Sequence, residues 1–199
     1  MMQKKTGLIL SGGMDSVCIA WWKKPEVAFT VDYGQKAADA EIQASMQICK
    51  LLNIEHHILR IDCSSLGSGD MAGKSSDKNA PETDWWPYRN QMLVTLVAMK
   101  AISLDVNKLL IGTVSSDSNH RDGTLEFVLS ISKLLEFQEG NLKLEAPAIN
   151  MTTIELVNES KIPYDYLLWA HSCHTSNIPC GRCRGCNKYH KVIYDLNIL

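Results

Sequence analysis

Two groups of residues in this sequence have types and spacings that suit chemistry. The first is Ser11-Gly12-Gly13-Met14-Asp15-Ser16, which follows the apolar run Leu8-Ile9-Leu10 and precedes a helix-type run from Val17 to Trp22. A chain that leaves a strand, turns through two glycines and enters a helix presents backbone N–H groups and hydroxyls to an anion. The glycines let the backbone approach the ligand closely, and the helix N-terminus adds partial positive charge. No lysine follows the glycines, so this is not the longer phosphate loop ending in Gly-Lys-Ser/Thr. A plain glycine turn is the bland alternative; position, order and flanking elements together favour the anion site.

The second group is Cys173, Cys180, Cys183 and Cys186, all within fourteen residues. Four thiols are what a closed tetrahedral zinc site requires. Gly181 and Gly185 permit the turns that wrap a chain around a metal, and Pro179 stiffens the approach. Such a site has no open coordination position, so it folds the tail and activates no water. A redox Cys-x-x-Cys and a [4Fe–4S] cluster are rivals, the cluster being the serious one because four thiolates serve it equally well. His174 is close enough to be an alternative ligand. Cys18, Cys49 and Cys63 lie singly and read as small buried thiols.

The elements that must position these groups follow from periodicity. Short apolar runs alternating with helical patterns predict an α/β fold with a mainly parallel sheet and helices on both faces. Strands are expected at 8–10, 27–31, 56–61 and 108–112, with a short one at 142–144. Helices are expected at 15–24, 36–52, 90–104 and 123–137, with Ile42, Met46, Cys49 and Leu52 lining one face of the second. The segment 64–84 has no periodicity and reads as a long loop, a flap over the site. Thr152 or Thr153 starts a short helix with Glu155 in its first turn. Residues 1–150 then form the α/β core and 151–199 a helical, cysteine-bearing tail packed on it as one domain. The loops after strands one, two and four meet at one crevice at the carboxyl ends of the strands.

Composition narrows the partners. A length of 199 residues suits one domain, and a net charge of −2 gives no electrostatic case for gripping a nucleic-acid backbone. The apolar run behind Lys4 and Lys5 is too short for a signal peptide core or a membrane span, so a cytoplasmic protein without membrane contact is expected.

The glycine loop resembles that of the ATP pyrophosphatases, and the loop and cysteine group together resemble the 7-cyano-7-deazaguanine synthase family of pre-queuosine biosynthesis. Asp32-Tyr33-Gly34-Gln35 stands where that family has its Tyr-Gly-Gln segment, with Glu41 following. Pro87-Tyr88-Arg89-Asn90 matches its Pro-x-Arg-Asn at a helix head. Pro147, Met151-Thr152 and Ser172-Cys173 complete the ordered set. The resemblance implies a Rossmann-like fold of the adenine nucleotide alpha hydrolase-like type. It implies ATP, Mg²⁺ and Zn²⁺ as cofactors, with ATP held by Leu10, Ser11, Gly12, Gly13, Met14, Asp15, Ser16, Val17, Cys18, Ile19 and Ala20. It also implies adenylation of the carboxylate of 7-carboxy-7-deazaguanine, attack by ammonia, and dehydration of the amide to the nitrile. Asp15 is assigned either to Mg²⁺ or to capping its helix. A homodimer is expected.

Tyr33, Gln35, Arg89, Asn90, Asp117 and Asp122 are the candidate substrate residues. A guanidinium at a helix head can grip a carboxylate or phosphate in bidentate fashion, and an aspartate can accept hydrogen bonds from a guanine-like ring. The pair Trp85-Trp86 is core, or stacks on the base. Departures from the family lie on the substrate side. The segment 117–123 lacks the usual Tyr-Pro and Cys, Thr153 stands for a Lys, Lys36-Ala37 for Arg-His, and Tyr189 for an Arg. These allow a member that stops at the amide or transfers to a protein amine, as in defence-associated relatives. A tRNA-modifying enzyme sharing the ATP chemistry is a further alternative, and a non-catalytic nucleotide sensor the last.

Overall fold

The computed structural model describes residues 4–198. Its centre is a sheet of five parallel strands: β1 (Lys5–Ile9), β2 (Val27–Asp32), β3 (Glu55–Arg60), β4 (Val106–Ile111) and β5 (Lys143–Glu145), in the order β3-β2-β1-β4-β5. Helices connect them: α1 (Met14–Lys23), α2 (Ala38–Leu52), α3 (Gly69–Ala72), α4 (Arg89–Ile102) and α5 (Leu125–Phe137). The tail adds α6 (Thr153–Ser160), α7 (Tyr164–Leu167) and α8 (Arg184–Asp195). No helix of the described residues is long and apolar enough to cross a membrane.

Strand alternation divides the core into two layers, because successive side chains of a strand point to opposite faces. Leu8, Leu10 and Leu110 face one layer with α1, Ile48 of α2, and Leu156, Leu167 and Val192 of the tail. Ile9, Leu109 and Ile111 face the other with Val94 and Val97 of α4 and Val128 and Ile131 of α5. The tail therefore completes one layer of the core. Its first helix starts with a reciprocal cap: the Glu155 N–H donates to Thr152 Oγ1 at 3.2 Å, and the Thr152 N–H donates to Glu155 Oε2 at 2.7 Å.

Three expectations need correction. Val17, Cys18, Ile19 and Ala20 are fully buried in the first layer, packed against α2 and the tail, and do not line the crevice. On α2 the buried face runs through Ile42, Ser45, Ile48 and Cys49, while Met46 is 43% exposed. The segment 64–84 is not wholly irregular: it holds a 3₁₀ turn at Ser64–Leu66 and the short α3.

The chain runs outward from β1 to β3, returns to place β4 beside β1, and so opens a crevice where the order reverses. Two glycines allow the loops there to close in. A Cβ on Gly112 would lie 3.1 Å from the Ser16 backbone. Gly12 has φ +72°, and a Cβ there would lie 2.5 Å from the Glu41 carbonyl oxygen. Gly12→Ala should therefore cost at least about 1–2 kcal/mol from the left-handed backbone alone. A melting temperature lowered by about 2 °C or more checks this, and an unchanged one contradicts it.

Candidate active site

The crevice holds a cavity of about 450 Å³. Leu10, Ser11, Gly13, Met14, Asp15 and Ser16 line it from the end of β1 and the start of α1, whereas Gly12 is buried against α2. The two serine hydroxyls lie 3.2 Å apart, and Ser16 Oγ donates to the Gly13 carbonyl at 2.9 Å. The first-turn N–H groups of α1 and both hydroxyls thus converge where an anion would sit. Asp15 does not cap the helix, whose N-cap is Gly13. Its Oδ1 accepts from Thr153 Oγ1 at 2.7 Å and its Oδ2 from Lys188 Nζ at 2.8 Å.

Arg89 and Asn90 head α4 and line the same cavity. The residue before them, Tyr88, has φ +55°, a left-handed conformation costly for a non-glycine side chain. Arg89 NH1 contacts Met71 Sδ at 2.8 Å, and among the described residues no carboxylate lies within ion-pair distance of its guanidinium. Burial works against that charge, but Tyr33, Asp122, Asp84 and Asp117 around it outweigh burial and raise its pKa.

The other candidates divide. Tyr33 and Asp117 line the cavity; Gln35 and Asp122 do not. Gln35 is buried and braces the turn after β2, accepting from the Tyr33 N–H at 2.9 Å and donating to Glu41 Oε2 at 2.8 Å. Asp122 instead caps α4, accepting the Asn90 N–H at 3.0 Å. Trp86 is buried in the core, edge-on to Tyr33 at 4.9 Å, and does not face the cavity.

Several cavity residues escaped the sequence reading of the site. Glu41 lines the cavity, and burial pushes its carboxyl up to about 7 against the opposing effects of Gln35 and Arg89. Asp84, from the long loop, is buried and pairs with His120 Nε2 at 3.4 Å, His174 Nδ1 at 3.3 Å and Arg184 NH1 at 3.1 Å. Burial works against the Asp84 charge, but the His120 hydrogen bond and the charges of His174 and Arg184 hold its carboxyl well below the usual range. This hub joins the long loop and the strand-four loop to the tail. Its members come from three segments of the chain, so no single local motif marks the hub.

The four tail thiols cluster with every Sγ within 4.8 Å of the others, an arrangement that could hold a metal ion. Cys183 and Cys173 are 3.9 Å apart, as are Cys180 and Cys186. His174 is not among the clustered donors; its ring faces Asp84, and only its backbone N–H reaches Cys183 Sγ, at 3.4 Å. Cys183 caps α8, its sulfur accepting the Cys186 N–H at 3.4 Å. The tail is tied to the loop by the His171 N–H, which donates to the Gly12 carbonyl at 2.9 Å.

Among solved structures, a U34-tRNA thiolase from Methanococcus maripaludis, described with its [4Fe-4S] cluster, superposes with TM-score 0.54 at 16% identity, over 97% of this chain and 65% of that one. The NMN synthetase of Francisella tularensis gives 0.50 at 16% identity, over 98% and 78%. These likenesses concern the fold. Sequence relatives are closer. The 7-cyano-7-deazaguanine synthase of Methanocaldococcus jannaschii is 32% identical over 212 residues, covering 89% of each chain. That of Methanobrevibacter smithii is 28% identical, covering 94% of this chain and 91% of its own. The family model described as "Queuosine biosynthesis protein QueC" matches residues 5–195. With a full-length family match, and with relatives that are biosynthetic enzymes, this chain belongs to the QueC family of queuosine biosynthesis proteins.

Proposed function

We propose that the protein is an ATP-dependent ligase that adenylates the carboxylate of 7-carboxy-7-deazaguanine and transfers the acyl group to ammonia. The observation that carries this reading is the Arg89 guanidinium, which opens into the same cavity as the Ser11–Ser16 loop without a carboxylate partner in ion-pair range. The deazaguanine ring comes from the relatives' names.

In this reading the loop N–H groups, Ser11, Ser16 and the α1 N-terminus hold the β- and γ-phosphates. Asp15 and Asp117, which line the cavity, would hold the accompanying Mg²⁺. Arg89 and Asn90 hold the substrate carboxylate. Its oxygen attacks the α-phosphorus, the bond to the bridging oxygen breaks, and pyrophosphate leaves with the electron pair. Ammonia then attacks the carbonyl carbon, sheds a proton and expels AMP. Adenylation is needed because a free carboxylate would have to expel oxide, so the enzyme's work is positioning and charge neutralisation. Glu41, at about 7, lies in the cavity with a pKa suited to accepting the amine's proton near neutrality. A second ATP dehydrates the amide to the nitrile.

One observation favours a second ending, arrest at the amide. His120 and Thr153, which occupy divergent positions, are both engaged, with Asp84 and Asp15. The amide oxygen must be activated in a different orientation from the carboxylate, so this step is the more sensitive to changed contacts.

Zinc is the metal assigned to the cysteines. Bonds of 2.3 Å to four thiolates give sulfur–sulfur edges of about 3.8 Å; two of the separations here are 3.9 Å and all lie within 4.8 Å. A [4Fe–4S] core fits less well, because four irons and four sulfides must lie inside the thiolate set.

Three outcomes follow. Arg89→Ala should lower base-dependent AMP release by about 10²-fold, mainly by raising KM for the carboxylate, while ATP affinity holds; an unchanged KM contradicts the assignment. Elemental analysis should find one zinc per chain and no stoichiometric iron. The Glu41 carboxyl is raised in the folded protein, so the folded state binds more protons than the unfolded one between the usual glutamate range and about 7. Stability should therefore fall as pH rises through that window, and Glu41→Gln should flatten the profile; parallel wild-type and variant melting curves across pH 4.5–7.5 would contradict it.

A further inference from the structure

The loop proposed to take the polyphosphate carries no cationic side chain. Its one acidic residue is Asp15, and Asp117 comes beside it from the segment after β4, so an entering pyrophosphate meets two carboxylates. One ammonium contacts both. Lys188, on α8, places Nζ 2.8 Å from Asp15 Oδ2 and 3.6 Å from Asp117 Oδ1. It is half-buried and lines the cavity. Lys191 also lines the cavity, but its ammonium pairs with Asp195 at 2.7 Å. Lys188 is therefore the ammonium directed at the phosphate loop.

We infer that Lys188 is a catalytic residue, the cation that receives the pyrophosphate of the nucleotide. The inference rests on the adenylation proposed above. A four-carbon stem lets Nζ move a few ångströms from the carboxylates onto phosphate oxygens while α8 stays in place. As the carboxylate oxygen bonds to the α-phosphorus, the bond to the bridging oxygen breaks and its electron pair passes to the departing pyrophosphate. The ammonium donates hydrogen bonds to that oxygen and keeps its proton, so charge is balanced by pairing alone. Cys183 caps α8 and Cys186 lies in its first turn, so the helix that frames the metal cluster also aims the ammonium.

The test uses Lys188→Gln, which keeps a hydrogen-bond donor and loses the charge, and Lys188→Arg, which keeps the charge. Binding of inorganic pyrophosphate is measured by calorimetry, and AMP release with ATP and 7-carboxy-7-deazaguanine. Lys188→Gln should weaken pyrophosphate at least about tenfold and lower AMP release about 10²-fold, with adenosine affinity unchanged. Lys188→Arg should retain most of both. A Gln variant equal to wild type, or an Arg variant as impaired as Gln, overturns the inference. On the wild-type protein, pyrophosphate should protect Lys188 from an amine-acylating reagent, mapped by mass spectrometry. Absence of protection overturns the inference whatever the variants' folding. Lys188-dependent pyrophosphate binding without base-dependent AMP release leaves this inference standing and removes the substrate reading instead.

Discussion

Gly12 is where three parts of the molecule meet, and the arrangement of the crevice depends on it. Its positive φ turns the chain out of β1, and its missing Cβ lets the loop sit against the first turn of α2. Its carbonyl accepts the His171 N–H, which anchors the tail to the same point. Each contact places a different cavity wall. Contact with α2 sets Glu41, and the tail anchor sets the segment running into the cysteines. Any side chain at this position would separate walls that the chemistry needs together.

The walls carry an uneven distribution of charge. Asp15, Asp117 and Lys188 gather at the end of β1, and Arg89 stands apart at the head of α4 with no anionic partner in contact. Asp84 lies in the same cavity but is paired with Arg184, with the rings of His120 and His174 beside it. In the proposed reading an anionic substrate meets a guanidinium with no carboxylate in ion-pair range, and the phosphates meet N–H groups and hydroxyls. Burial of Glu41 leaves a group that changes protonation near neutral pH in the same cavity. A reaction joining a carboxylate to a nucleotide phosphate suits that division.

The fold was largely legible because its signals are local. Alternating runs located all five strands, and the Thr152–Glu155 cap marked the start of α6. The phosphate-type loop and the cysteine cluster were legible for the same reason, each being a short contiguous pattern. Placement across the chain was not. Lys188 reaches Asp15 from 173 positions away, and Asp84 reaches Arg184 from 100. Nothing local to α8 distinguishes Lys188 from the solvated lysines elsewhere. Gln35 and Asp122 look like ligand-binding residues in a motif, yet the folded chain uses them to brace a turn and to cap a helix. The inward face of α2 was read wrongly at Met46 because candidates for two adjacent helical stripes differ by one position, and only the sheet decides between them.

The most direct test of the account follows oxygen. If the carboxylate attacks the α-phosphorus, one carboxylate oxygen must end on AMP. Incubation of the protein with ATP, Mg²⁺, ammonia and 7-carboxy-7-deazaguanine labelled with ¹⁸O in its carboxylate should give AMP carrying a single heavy oxygen and, before dehydration, an amide retaining the other. AMP that forms without label would contradict adenylation of the base. Absence of any AMP dependent on the base would contradict the substrate itself.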